Sequence, residues 1–339
     1  MTEWNNGLEK RILMKSRFTL TFRILRILLV IFLIYCGYMF LINFIAERLN
    51  MTVENAYYTK LATEWTVPNV RGDFRFEKEE LTFLGTQKLS YDLLKRVGND
   101  EKVIGQATVM NRLASPSTFS LSHPGQRELN EFSFSLPIDP QTDRKLGGNA
   151  WANVWETLSM LPEGTVGELA FSTTSFMESK ELVEFLGKYD LHILWMPLYT
   201  GEFVDYEPYV ATRGSASGGV QSLSVPHFGL SGGNDRSESF HESTRILWLN
   251  EESLSESEEL MLNNMEYLLM NKKKSYYEQF LRLGHLEEKY QYLTNKGFTV
   301  YGAVVTGPVK ELLKLQDVSF IQGEQLGEVE LWNWKPDNK

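Results

Sequence analysis

The sequence predicts an α/β fold class with helices and strands mixed (α+β): a single N-terminal transmembrane helix, then a mostly β segment, then an α/β domain with a mixed sheet. Three observations predict it. Ile27 to Ile45 reads ILLVIFLIYCGYMFLINFI, uncharged at neutral pH and about as long as a bilayer's hydrocarbon core requires. Residues 73 to 136 carry short alternating or β-branched runs between Gly, Asn and Pro. Beyond Gly164, strand-like runs alternate with amphipathic helical ones.

The span's flanks set its direction. Lys10, Arg11, Lys15, Arg17, Arg23 and Arg26 precede it against only Glu3 and Glu9, so the first 26 residues carry +4 and the remainder −14 of a total of −10. The positive-inside rule therefore expects residues 1–26 as a cytoplasmic basic tail, 27–45 as the membrane span, and everything after it outside the cell membrane. Leu191 to Leu198 and Phe298 to Val305 are too short for a second crossing and suit buried strands. A cleaved signal peptide wants an A-x-A-like site, whereas Phe44, Ile45, Ala46 and Glu47 follow a full-length span. A lipid-attachment cysteine wants a small residue before it, and Cys36 lies mid-span after Tyr35. With one Cys in the chain, an intramolecular disulfide and a cysteine-based zinc site are both excluded. Hydrophobic and aromatic shares of 42% and 13% describe a folded exterior, not a disordered stalk, and its negative charge argues against nucleic acid as a partner.

Along the exterior, Met51 to Lys60 continues as helix until Thr66-Val67-Pro68-Asn69 breaks it. Strands are expected at Phe74 to Phe76, Leu81 to Phe83, Val103 to Met110 and Glu131 to Leu136, giving a membrane-proximal, mostly β extracytoplasmic region over 46–150. Turn-rich residues from Pro137 to Asn149 close it, and a C-terminal α/β domain is expected over 151–335. That domain opens with a short helix between Ala150 and Met160 and a strand from Gly164 to Ser172. A helix from Glu178 to Lys188 follows, with Ser175 and Glu178 at capping-box spacing. Leu191 to Leu198 is a strand, and Arg213 to Ser239, rich in Gly and Ser, is a long loop. Helices are expected at Ser255 to Met270 and Ser275 to Thr294, the latter ended by Asn295 and Gly297. A strand Phe298 to Val305, a helix from Pro308 to Leu315 and a strand Gly327 to Trp332 complete the chain, with right-handed strand-helix-strand crossovers.

No constellation of residues points to catalysis, a cofactor or a metal. Gly229-Leu230-Ser231-Gly232-Gly233 fits a G-x-S-x-G nucleophile elbow but lacks the strand before it and the helix after it. His123, His192, His227, His241 and His285 have no metal-ligand spacing; His241-Glu242 begins H-E-x-x-H, but Arg245 occupies the second histidine's place. His192, in an apolar run, reads as a core or sheet-edge residue. Thr306-Gly307-Pro308 offers too few amides for an anion, and Lys272-Lys273-Lys274 reads as a solvated turn between helices. No small-molecule ligand is identifiable.

Four blocks nevertheless agree with a known family. Thr165 to Ala170, Tyr189 to Trp195, Val300 to Leu313 and Gly327 to Trp332, in that order and spacing, resemble the C-terminal domain of bacterial sigma factor regulators, and Lys15 to Arg26 with the span resembles their N-terminal domain. The resemblance covers roughly residues 10 to 335. It implies a membrane-anchored, non-enzymatic, anti-sigma-factor-like protein whose exterior senses the envelope and whose interior controls an extracytoplasmic-function sigma factor. The expected partners are the bilayer and, on the cytoplasmic side, a sigma factor or a small membrane co-regulator. The first 26 residues depart from many anti-sigma factors in lacking His and Cys, which rules out a zinc-containing helical fold there and favours action through a partner. The alternative is an external binding or scaffold module, tethered to the membrane without touching a sigma factor.

Overall fold

The computed structural model describes residues 6–48, 51–81, 86–112, 116–122, 132–140, 143–147, 153–201, 209–212, 221–237 and 243–335. Helix α1 (Asn6–Arg48) contains the expected span, and the basic residues from Lys10 to Arg26 belong to the same helix. Its stretch Leu13–Leu41 has a mean hydropathy of 2.4 and is not buried against the rest of the protein. Among the described residues it is the one helix long and apolar enough to cross a bilayer.

Helix α2 (Met51–Thr66) runs longer than the turn or two expected, and every residue from Glu54 to Trp65 is buried. A helix enclosed on all sides is ordinarily apolar throughout. This one carries threonines whose hydroxyls bond back into the helix: Thr59 donates to the Asn55 carbonyl (2.8 Å), Thr63 to Thr59 (2.9 Å) and Thr66 to Ala62 (2.6 Å). Such back-bonding lets a hydroxyl enter the interior without losing a partner. Pro68 and Asn69, the latter at φ 53°, then turn the chain into the first sheet.

That sheet is an antiparallel meander, β1 (Val70–Leu81), β2 (Gln87–Val97), β3 (Asp100–Asn111) and β4 (Thr118–Ser122), in sequential order. β2 and β4 were not expected. β2 does alternate over Leu89-Ser90-Tyr91-Asp92-Leu93, but Leu94, Lys95 and Arg96 then break the pattern while staying buried, which leaves only a short signal. Gly98-Asn99 joins β2 to β3 with Gly98 at φ 64°, the left-handed conformation a two-residue hairpin favours and glycine adopts without strain. The expected strand Glu131 to Leu136 is corrected: Glu131 lies outside the described residues, and Phe132 to Leu136 is an extended segment and not a strand of either large sheet.

After helix α3 (Val154–Met160) come β5 (Thr165–Glu178), α4 (Ser179–Leu186) and β6 (His192–Tyr199). Small strands follow: β7 (Tyr209–Thr212), β8 (Gln221–Ser224), β9 (Gly229–Ser231), β10 (Asn234–Arg236) and β11 (Ser243–Arg245). The expected long loop from Arg213 to Ser239 thus holds three short strands, β8, β9 and β10, among its described residues; residues 213–220 and 238–239 are not described. α5 (Leu254–Asn271), a π-helical turn (Tyr276–Phe280), α6 (Leu286–Lys296), β12 (Thr299–Pro308), α7 (Val309–Leu313), a 3-10 turn and β13 (Ile321–Leu331) complete the chain.

The single helix expected over Ser275 to Thr294 is broken. Leu281, Leu283 and Leu286 are all buried, which one helical stripe does not allow for positions two apart, and Arg282 and His285 take positive φ to turn all three inward. The capping box is also corrected: β5 extends through Ser175, Glu178 is the N-cap without a side-chain bond, and the Ser179 amide donates to the Phe298 carbonyl at 3.0 Å.

The second sheet has the order β13-β5-β12-β6-β9. Every strand pairing among the described residues is antiparallel, which corrects the mixed sheet expected from the sequence. β5 and β6, joined through α4, run the same way but are separated by antiparallel β12, so the expected strand-helix-strand unit exists in split form. One hydrophobic cluster holds Leu61 and Trp65 of α2, Leu93 of β2, Phe171 of β5, Leu198 of β6 and Leu312 of α7. A second holds Ala170, Trp195, Tyr301 and Val304 beneath Phe132, Phe134 and Leu136 of the extended segment. Because residues from both ends share the first cluster, we predict one cooperative thermal transition. Leu61→Ala and Leu312→Ala should each cost about 2–5 kcal/mol and shift circular dichroism and tryptophan fluorescence melts together; separate transitions by the two probes would refute the shared core.

Candidate functional site

The charged residues of α2, with Asn55, Tyr57 and Thr59, are met by partners from other elements. At the end nearer α1, Glu54 accepts from the Tyr267 hydroxyl (3.1 Å) and from Lys272 Nζ (2.5 Å). Next to it Asn55 donates to Asn111 Oδ1 and accepts from the Tyr276 hydroxyl, both at 2.7 Å. Lys272 therefore does more than the solvated turn expected, while Lys273 and Lys274 are exposed. In the middle, Tyr57 donates to the Asn234 carbonyl (2.9 Å) and the Tyr91 hydroxyl to Thr59 Oγ1 (3.0 Å). Lys60 is fully buried, its ammonium 4.5 Å from the Phe74 ring centre and 5.0 Å from that of Tyr91. Gly72 permits this: a Cβ there would collide with both Lys60 and Tyr91.

At the far end Glu64, 3% exposed, accepts from Asn234 Nδ2 (2.6 Å) and Arg245 (2.7 Å), while its carbonyl accepts from Trp195 Nε1 (2.9 Å). Burial pushes its carboxyl upward; Arg245, Arg71, the Asn234 bond and Lys60 pull the other way.

A second buried carboxylate ties the two sheets together. Glu168 of β5 is fully buried, 2.9 Å from Lys95 of β2, and accepts from Asn69 Nδ2 at 2.6 Å. Burial raises its pKa, and Lys95 and Asn69 oppose the rise. Nearby, the Gly98 amide donates to Thr306 Oγ1 (2.7 Å), which donates to the Gly167 carbonyl (2.9 Å), and Asn333 donates to the Val97 carbonyl (2.9 Å). Thr306, inside β12 and not at a turn, thus holds the β2–β3 hairpin and is itself buried.

Ser231 closes the three-residue strand β9, and β10 follows in place of a helix, so the elbow geometry is absent; its hydroxyl donates to the Gly232 carbonyl at 3.1 Å. His192 is buried, stacked 4.2 Å from the Trp248 ring and 4.3 Å from that of Trp334. His227 packs against Phe134 and Trp195, and burial pushes its pKa down to about 4. His285 Nδ1 lies 3.7 Å from Glu288. His123 and His241-Glu242 lie outside the described residues. The charges of α2 were missed in the sequence because its low amphipathicity looked like a connector. The visible sign was Glu54, Lys60 and Glu64 interleaved with Tyr57, Tyr58, Leu61 and Trp65.

Two predictions follow from the charges. Lys95→Met or Glu168→Leu should each destabilise by about 3–5 kcal/mol, because each strands a buried partner; the double variant Lys95→Met/Glu168→Leu should lose clearly less than the sum of the two, and additive losses in this double-mutant cycle would contradict the pairing. His227 gives a pH dependence. Between pH 6.5 and about 4 the unfolded chain binds a proton that the folded chain refuses, so stability contributed above pH 6.5 is lost as the pH falls toward 4. The melting temperature of the wild type should therefore drop more between pH 7 and 5 than that of His227→Gln, and parallel curves would rule the effect out.

Comparison with known proteins agrees with this architecture. The sigma factor regulator N-terminal model matches residues 10–102 and the sigma factor regulator C-terminal model residues 158–328. The Bacillus subtilis (strain 168) protein described as probable anti-sigma-M factor YhdL is 25% identical over 272 residues, covering 79% of this chain and 67% of the relative. No solved structure matches. The first match takes in α1, α2 and the β1–β2 ladder, the second the five-stranded sheet with its helices, and the chain belongs to the sigma factor regulator family.

Proposed function

We propose that this sigma factor regulator is anchored by α1 with residues 1–26 in the cytoplasm, 27–45 in the bilayer and the regions 46–150 and 151–335 outside. It carries no catalytic activity in this reading. The exterior binds or senses an envelope signal, and the basic end controls an extracytoplasmic-function sigma factor, through a membrane co-regulator. The orientation is supported by the six basic residues up to Arg26, and the sigma-directed role by family membership and by the relative described as a probable anti-sigma-M factor.

The observation that carries the coupling is the burial of α2. The helix that follows the span is packed by β1, β2, β3 and β9 and hydrogen-bonded to α5, so a change in the exterior that repacks these elements acts on the root of the span. A ligand shifts such an equilibrium only by its differential affinity for the two packings. Deleting the gene should derepress a sigma-dependent regulon, and exchanging Met1 to Arg26 for an unrelated basic anchor should give the same derepression with the exterior intact. Unchanged transcription after deletion would refute the regulator reading; retained control after the exchange would replace it with an external scaffold.

A further inference from the structure

We infer that one face of the exterior rests on the outer leaflet of the bilayer: the turn from Met270 to Ser275, with the end of β3 beside it, takes a phospholipid headgroup surface as its partner. The inference rests on the anchoring by α1 proposed above, and it names the face that this anchoring turns toward the lipid.

Chain length sets the distance. From Ile45, the last residue of the span, the helix continues to Arg48, and α2 begins at Met51. Three helical rises of about 1.5 Å and three Cα steps of about 3.8 Å keep Met51 within about 16 Å of the hydrocarbon edge, whatever path the chain takes. The headgroup layer occupies about 5–7 Å of that gap.

α5 fixes what lies level with Met51. It runs antiparallel to α2: the Tyr57 hydroxyl donates to Asn264 Oδ1 at 3.2 Å, and one turn nearer the span Glu54 accepts from the Tyr267 hydroxyl at 3.1 Å. Three residues toward the span along α2 are thus matched by three along α5, and the next such step sets Met270 beside Met51. The turn that follows is pinned at both ends, because Lys272 Nζ donates to Glu54 at 2.5 Å and the Tyr276 hydroxyl to Asn55 at 2.7 Å. Asn111, which accepts from Asn55 at 2.7 Å, brings the end of β3 to the same level, and exposed Arg112 comes next.

The face so placed is amphipathic. Met270 is 76% exposed, and Lys273, Lys274 and Arg112 are exposed around it. Lys272 pairs with Glu54, Lys274 with Glu278 at 3.4 Å, and Lys88 with Glu80 at the neighbouring sheet end. Glu47 offsets Arg48 in the sequence, and half-buried Glu266 stands against Lys273 and Arg112. The face is therefore close to neutral, and placement, not charge, carries the inference. A headgroup layer supplies phosphates for the Lys273 and Arg112 tips and, beneath them, an apolar boundary that takes Met270 and the stems of the long side chains out of water.

The test uses the full chain reconstituted in phosphatidylcholine vesicles, with a bimane fluorophore on one cysteine at a time. Cys36, the chain's own cysteine, lies mid-span and reports on the anchor. In a Cys36→Ser background, Met270→Cys and Lys273→Cys report on the face, and Met160→Cys is the control. Met160 is 72% exposed and precedes β5, whose Val166 abuts Gly98 at the far end of the first sheet, about 35 Å from Asn111 along β3. Lipid with a nitroxide on its headgroup should quench the labels at 270 and 273 by at least about half and the label at 160 by less than about a tenth; lipid with the nitroxide on its acyl chain should quench Cys36. Thermal melts check that each variant folds, and should one of the two face variants fail, the other decides. Labels at 270 and 273 quenched no more than the label at 160, with Cys36 quenched, overturn the face and leave the anchor standing. An unquenched Cys36 overturns the anchor and the face with it.

Discussion

The enclosure of α2 is the constraint on which the rest of the structure depends. A helix in the interior must satisfy every polar atom it brings there, and an unpaired buried charge is expensive enough to unfold a domain. α2 brings Glu54, Lys60 and Glu64, and the surrounding elements supply Lys272 and Tyr267, the rings of Phe74 and Tyr91, and Arg245 with Asn234. Those partners come from β1, β2, β10, β11 and the α5 region, so α2 draws polar groups from five elements to itself. The helix is therefore the piece the others assemble around, and it is also the piece that follows the long apolar helix in sequence.

The two sheets are registered to each other by a different device. The β2–β3 hairpin reaches the five-stranded sheet, where Lys95 meets Glu168 and Gly98 meets Thr306. Gly327 belongs to the same arrangement, since a Cβ there would collide with the Glu168 carboxylate. Apolar packing is non-directional and tolerates small slides, whereas a buried ion pair with Asn69 on its second oxygen fixes one relative position. The shared core supplies cohesion and the polar contacts supply alignment.

How much of this was legible in the sequence follows from which residues report on local geometry. The apolar span, the strands Thr165–Glu178, His192–Tyr199 and Thr299–Pro308, and helix α5 were readable because their residues serve one period or one length. β2 was not, because its alternation over Leu89 to Leu93 is short and gives way to Leu94, Lys95 and Arg96, whose charges read as surface although they are buried. The break at Arg282 to His285 was not, because Tyr276, Phe280 and Leu283 do keep helical spacing and only the burial of Leu281 betrays the turn. Strand direction was lost because α4 joins two strands that are parallel yet not adjacent, and the strand inserted between them comes from far along the chain. The candidate site was least visible of all. Glu64, Arg71, Arg96 and Arg245 are scattered, and charges in a sequence read as surface until a fold brings them inside.

The distribution of charge bears on what this exterior can bind. Beyond residue 26 the chain carries a net −14, yet Lys60, Lys95, Arg71 and Arg96 are all buried near the junction of the sheets. Glu54, Glu64, Asp73 and Glu168 are buried as well, so these interior charges balance and the negative excess is carried by the rest of the chain. Long-range fields in water fall off over about 8–10 Å at physiological salt, so polyanions meet repulsion before they reach any arginine. The charges that make the interior costly to build are thus paired with one another, and the unpaired net charge lies outside it, where it governs what approaches.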